Sequence, residues 1–228
     1  RRLGFETKAG SIRVPTADGG VRTAIAKAYP ISIDAAAYDE LARRPDVQAR
    51  AREIRESLGD PKTVLFGVDR LDYTKGLRQR VRAIAELFDE GRLDPAEAVF
   101  LQVATPSRER VDEYRRLRDD IDQLVGRINS EVGGVGRPPI VYRHAGFPRL
   151  TMAAMYRIAD VMVVTPLADG MNLVAKEYIA SRVDGRGVLV LSEFTGAADE
   201  LTQAIRVNPH DIEGLKDAIM SAIEMPEE

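Results

Sequence analysis

Asp169-Gly170-Met171-Asn172-Leu173-Val174-Ala175-Lys176-Glu177 follows a short apolar run at residues 161–164 and opens a helical pattern continuing through Tyr178, Ile179 and Ala180. The stretch reads as a strand, a loop and a helix N-terminus in succession. The first N–H groups of a helix lack intrahelical acceptors, and the aligned peptide dipoles place partial positive charge there. Such an end accepts a phosphate. Gly170 allows a tight turn, and Asn172 is a favoured N-cap. Glu177 lies four residues after Leu173, on the same helix face. A carboxylate beside a phosphate is repelled, so Glu177 suits hydroxyl donors such as a ribose diol. A capped helix with an outward glutamate is the plainer alternative for this stretch alone; the rest of the chain weighs against it.

Working outward, short apolar strands alternate with helical patterns. Strands are expected at residues 64–68, 99–104, 140–142, 161–164, 188–191 and 204–207. Helices are expected at 77–88, 107–131, 150–158, 172–180, 197–201 and 212–223. In the long charged helix, Val111, Tyr114, Leu117, Ile121, Leu124 and Ile128 recur at three and four and form one buried stripe. Two helical patterns fill residues 35–58 and break at Pro45, with Asp34 as the cap of the first. Before them, residues 11–15 and 21–26 read as a hairpin across Asp18-Gly19-Gly20. The alternation of strand and helix means βαβ units, hence an α/β fold with a doubly wound parallel sheet. Such sheets bind ligands at the C-terminal ends of their strands, near the point where the strand order reverses.

The composition excludes several functions. Thirty-three basic against 36 acidic residues give a net charge of −3, so neither nucleic acid nor an anionic membrane is an expected partner. The absence of cysteine removes disulfides and thiolate metal sites and fits a cytoplasmic location. No apolar run approaches a membrane span. His144 and His210 are the only histidines, and no acid–histidine spacing suits zinc, so neither metal nor cofactor is expected. The chain opens on Arg1-Arg2-Leu3 without an initiator Met, which suggests a piece of a longer protein.

The loops after the strands carry the chemistry. Asp69-Arg70-Leu71-Asp72-Tyr73-Thr74-Lys75-Gly76 follows the first strand of the sheet and holds two cations five residues apart. Asp69 and Asp72, three apart, read as turn residues sooner than as magnesium ligands. Thr105-Pro106-Ser107-Arg108 follows the second strand, and Arg143-His144-Ala145-Gly146-Phe147-Pro148-Arg149 the third. Converging positive charge at one rim calls for an anionic ligand. A diphosphate leaving group needs about two compensating charges, which Arg70 and Lys75 could supply without a metal.

Three of these segments, residues 68–76, 144–148 and 169–177, stand in the order and form that resembles the trehalose-6-phosphate synthases, and the likeness runs from about Ala24 to the end. Those are retaining glycosyltransferases with two facing Rossmann-like domains, the GT-B arrangement. The resemblance implies that Arg70 and Lys75 hold the donor's diphosphate and that Phe147 contacts the uracil through its backbone. It implies that Leu173, Val174, Ala175, Lys176 and Glu177 bind donor diphosphate and ribose, with Glu177 on the diol. Asp169 would contact hydroxyls of the donor sugar, and Arg108 would reach the acceptor's 6-phosphate. On the same resemblance, Arg70, Lys75 and Asp169 would form the catalytic set.

The partners implied are a nucleoside-diphosphate glucose, UDP-glucose first among UDP, ADP and GDP forms, and glucose 6-phosphate. A third is the absent N-terminal domain, whose loss would expose apolar surface and favour self-association. Residues 1–34 would be the tail of that domain and a linker, with Ser32 where the family has Gly, and residues 35–228 the donor-binding domain. Two alternatives remain: a synthase with a pseudo-sugar or glycerol phosphate acceptor, and a non-catalytic sensor of sugar nucleotides.

Overall fold

The computed structural model describes residues 6–8, 10–27, 29–107, 111–134 and 136–226. The chain divides into two compact units, Arg1–Ser32 and Ile33–Glu228. The first unit is a three-stranded antiparallel meander of β1 (Glu6–Lys8), β2 (Ser11–Pro15) and β3 (Val21–Ile25). The hairpin at Asp18-Gly19-Gly20 pairs Pro15 with Val21 and Ser11 with Ile25, as its turn residues predict.

The second unit begins with two helices, α1 (Ala35–Arg43) and α2 (Pro45–Ser57). Asp34 caps α1 by accepting from the Ala37 N–H at 3.0 Å, and Pro45 opens α2, where its missing N–H costs nothing. Strand and helix then alternate: β4 (Thr63–Arg70), α3 (Leu77–Asp89), β5 (Ala98–Thr105), α4 (Asp112–Glu131), β6 (Ile140–Arg143), α5 (Arg149–Ile158) and β7 (Val161–Val164). The chain ends with α6 (Leu173–Ser181), β8 (Val188–Ser192), α7 (Ala197–Glu200), β9 (Ile205–Val207) and α8 (Ile212–Glu224). The six strands β4 to β9 make one parallel sheet in the order β6-β5-β4-β7-β8-β9. From β4 the chain walks outward to β5 and β6, then returns to the other side of β4 with β7. The order reverses between β4 and β7, and this is the switch point of a doubly wound sheet.

The inner strands β4, β5, β7 and β8 bury both faces, so their apolar runs divide by period two. Leu65, Phe100, Val161, Val163 and Val190 meet α3, α4 and α8 on one side. Val64, Phe66, Val68, Leu101, Met162 and Leu191 meet α2, α5 and α6 on the other. Tyr114, Ile121, Val125 and Ile128 are buried in α4, with Leu117 and Leu124 half-buried against the same core. The helix starts later than its charge pattern predicts. Val111 has extended backbone and is exposed, so it stands at the N-cap outside the stripe.

Candidate functional site

The loops after β4 and β7 are neighbours across the switch point, and they are bolted together. Arg70 is the last residue of β4 and exposed. The next residues form a 3-10 turn, Tyr73–Lys75, capped by Asp72, whose Oδ1 accepts from the Thr74 N–H at 2.9 Å and from its hydroxyl at 2.8 Å. Asp72 is therefore the turn residue that its spacing suggests. Burial alone would raise its carboxyl, but those bonds and one from the Tyr114 hydroxyl hold it below the ordinary carboxylate range. Asp69, by contrast, lies inside β4 and is buried against Arg80.

Gly76 closes the turn with φ 63°, and a Cβ there would sit 2.0 Å from the Thr165 carbonyl oxygen. Only glycine allows both the left-handed backbone and that approach. The Leu167 N–H completes the joint by donating to the Thr74 carbonyl at 2.7 Å. This joint delivers Lys75 to the far loop. Its Nζ lies 2.6 Å from Asp169 Oδ2, with both side chains largely buried. Asn172 Nδ2 donates to the same carboxylate oxygen at 3.1 Å.

Asn172 caps α6, its Oδ1 accepting from the Ala175 N–H at 3.0 Å. The left-handed backbone of this turn falls on Asn172, at φ 72°, rather than on Gly170. Asparagine tolerates it better than most side chains. With the Ala175 N–H taken by the cap, those of Leu173 and Val174 have no acceptor among the described residues. They lie in the turn beside Asp169 and Lys75. The Lys176 side chain turns the other way, buried and paired with Glu200 Oε2 at 2.7 Å. Only its backbone belongs to the rim.

One turn into α6, the Glu177 carboxylate accepts from the Tyr156 hydroxyl at 2.8 Å, and its charge also acts on the Tyr38 hydroxyl. Burial, reinforced by Glu177, pushes Tyr38 up to about 12 and Tyr156 well above the usual phenol value. Both hydroxyls therefore stay protonated donors. The Arg149 guanidinium stacks 4.4 Å from the Tyr38 ring centre. A carboxylate offers about four acceptor sites, so the bond from Tyr156 leaves room for a diol.

Phe147, in the loop between β6 and α5, is half-buried against the α2 and α5 side of the core. Arg108 lies outside the described residues. The structure thus joins Lys75, Asp169 and the α6 start in one place, with Arg70 and Glu177 on adjoining elements. The strand ends of β6, β5 and β4, which carry the loop cations, are consecutive in the sheet. Among the described residues, one acidic group, Glu86, Glu90 and Glu213, has the spacing of a metal site. Lys216 Nζ bonds all three, at 3.3, 2.6 and 2.7 Å, and supplies the positive charge there. No helix among the described residues is long and apolar enough to cross a membrane.

Sequence reasoning missed Arg80, Tyr38 and Tyr156. Arg80 reads as one more surface charge on α3, yet it falls three residues after Leu77 and four before Ile84, within the apolar stripe. That placement was the available signal. The tyrosines carry no spacing signal, because they reach Glu177 from two other helices.

The sequence model of glycosyltransferase family 20 matches residues 7–228. A trehalose-6-phosphate synthase of Mycolicibacterium vanbaalenii is 54% identical over 233 residues, covering 100% of this chain and 48% of its own. One from Mycobacterium avium is 54% identical over 227 residues, covering 98% and 46%. Among solved structures, the alpha,alpha-trehalose-phosphate synthase (UDP-forming) from Burkholderia xenovorans in complex with glucose-6-phosphate superposes with a TM-score of 0.86 at 38% identity, covering 97% of this chain and 48% of that one. An E. coli structure bound with UDP-2-fluoro glucose gives 0.85 at 36% identity, with 97% and 48% covered. The chain spans about half the length of the curated relatives it matches.

Proposed function

The chain belongs to glycosyltransferase family 20, and from that premise we propose that it is the donor-binding half of a trehalose-6-phosphate synthase. The whole enzyme would transfer glucose from UDP-glucose to glucose 6-phosphate with retention, giving trehalose 6-phosphate. The observation that carries this reading is Lys75 held 2.6 Å from Asp169 at the start of α6, on the switch point of the sheet. A cation, a carboxylate and a helix N-terminus then meet at one strand-end rim, which suits a sugar diphosphate better than a phosphate alone.

The chemistry follows from charge. As the bond between the glucosyl carbon and the diphosphate oxygen breaks, negative charge grows on the leaving diphosphate. Arg70, Lys75 and the free N–H groups of Leu173 and Val174 would neutralise it, the N–H groups being fixed in advance by the fold and Lys75 held nearby by its pair with Asp169. Glu177, oriented by Tyr156, would accept from the ribose diol. Phe147 would meet the base through its backbone. Asp169 would hold the transferred sugar once Lys75 moves to the diphosphate. Arg108 would reach the acceptor's phosphate, and the facing N-terminal domain would complete the acceptor pocket and exclude water. Residues 1–34 would be the tail of that domain and 35–228 the donor domain. A cytoplasmic location, supported by the lack of cysteine, and self-association of the isolated half belong to the same proposal.

Two measurements test it. Calorimetric titration of residues 1–228 with UDP, with ADP and GDP as competitors, should give binding that favours UDP. A coupled assay on the full-length protein should give UDP release that depends on glucose 6-phosphate. Replacing Arg108 by alanine there should raise the acceptor requirement and leave donor affinity unchanged. Absence of nucleotide binding, or release indifferent to the acceptor, refutes the reading.

A further inference from the structure

The Arg80 side chain is fully buried under the strand ends, and each nitrogen of its guanidinium reaches a different element. Nη2 donates to Asp69 Oδ2 on β4 at 2.6 Å and to the Lys75 carbonyl at 3.1 Å. Nε donates to Thr165 Oγ1, just past β7, at 3.0 Å, and Nη1 to Gln102 Oε1 on β5 at 3.2 Å. The surrounding backbone is shaped to admit it. A Cβ at Gly67 would fall 2.5 Å from both Arg80 Nη1 and Gln102 Oε1.

A buried ion pair of this kind is poorly explained by stability alone. Desolvating two charges costs several kcal/mol, and well-packed apolar residues of similar volume often do as well. Burial indeed pushes the Asp69 carboxyl up, and Arg80 opposes that push. What a planar fork provides, and an apolar cluster does not, is fixed direction. Here the direction runs from the loop that carries Lys75 to the loop that leads to Asp169 and α6.

We propose that Arg80 is the positioning residue of the donor diphosphate site, fixing the Lys75 turn against Thr165 so that Lys75 and the α6 N-terminus meet the same diphosphate. This rests on the nucleotide-sugar reading above. Arg80 itself touches no substrate. It acts through Lys75, and removing the Lys75 ammonium removes most of what Arg80 contributes to binding.

The test is a double-mutant cycle on the full-length protein, with UDP as probe. Arg80→Lys keeps a cation beside Asp69, but a single ammonium cannot span β4, β5, the Lys75 carbonyl and Thr165. It is expected to weaken UDP binding roughly tenfold and to lower kcat further, with the KM for glucose 6-phosphate unchanged. In the Lys75→Ala background the same substitution is expected to change UDP affinity less than about twofold. If Arg80→Lys does not fold, as judged by circular dichroism, Thr165→Val takes its place in the cycle, since it deletes one acceptor at nearly constant volume. Equal losses of UDP affinity with and without the Lys75 ammonium would assign Arg80 a purely structural role and overturn the proposal. So would normal UDP binding and kcat in a folded Arg80→Lys protein. An unsubstituted protein that fails to bind UDP is a separate result: it refutes the nucleotide reading itself, and this proposal with it.

Discussion

Lys75 and Asp169, 94 residues apart in sequence, form a largely buried ion pair at 2.6 Å between the loops on either side of the switch point. Both are proposed to bind the donor, yet here they satisfy each other. On the proposed function, a diphosphate entering the site would compete with Asp169 for the ammonium, and the carboxylate it displaced would be free to accept from sugar hydroxyls. One exchange of partners would therefore load both groups.

In the full-length enzyme, Lys75→Ala or Arg70→Ala should depress kcat far more than it raises the KM for glucose 6-phosphate. Charge on the leaving group is greater in the transition state than in the bound donor, and removing one partner there costs about 3 kcal/mol. Steady-state kinetics with both substrates varied will check this. Turnover close to normal in either variant would remove that residue from the mechanism.

Asp169→Asn should separate binding from turnover. The amide no longer competes for Lys75 or repels a diphosphate, so UDP affinity should stay the same or rise. Sugar transfer should fall, because a neutral amide is a weaker acceptor for glucosyl hydroxyls. Weaker UDP binding in the variant would mean that Asp169 is needed to place Lys75.

Glu177→Ala should weaken UDP and UDP-glucose alike, by roughly 1.5–3 kcal/mol, since both carry the ribose diol. Tyr156→Phe should produce a smaller loss of the same kind, because it removes a hydroxyl that orients the carboxylate and leaves the carboxylate itself in place. Titrations with both ligands decide the matter. A loss confined to UDP-glucose would move Glu177 from the ribose to the sugar.

Asp72 predicts a pH effect on stability. Its carboxyl is held below the ordinary range in the folded protein by Thr74 and Tyr114, despite partial burial. A lowered acid pKa contributes stability above the unfolded value, near 4, and that contribution is lost as pH falls through the folded value. Asp72→Ala should therefore cost about 1 kcal/mol at neutral pH, the worth of a cap, and the gap to the parent should close in acid. Denaturant melts at several pH values will show whether it does; a constant gap would mean that the ionised carboxylate is not what stabilises the turn.

Much of the fold can be read from the chain because parallel strands are buried on both faces and appear as short uninterrupted apolar runs. Residues 161–164 are the clearest case, and the strand there has those bounds. The helix caps are legible for a similar reason. Asp34 and Asn172 each act on the residue three positions away, so sequence spacing carries the information. What spacing does not carry is partnership between distant elements. Lys176 stands in the same run as Glu177 but turns to Glu200 on another helix. Arg80 looks like its exposed neighbours Arg78 and Arg82 until β4, β5 and the loop after β7 are placed around it. Asp69 and Asp72 look alike in sequence. Strand register separates them, one buried in an ion pair and one capping a turn.

The strand order has a consequence for how the protein acquires its site. β4 pairs with β7 through Leu65–Val161 and Phe66–Met162, and two complete helix–strand units lie between them along the chain. The pairings β4–β5 and β7–β8 are each more local. Closing the longest connection is entropically the slowest of these steps. Sheet and helices on each side can therefore form while the seam between β4 and β7 is still open, and in that state Lys75 and Asp169 belong to separate halves. Refolding followed by UDP binding should lag behind the recovery of secondary structure. Capacity to hold a nucleotide then reports that the two halves of the sheet have joined.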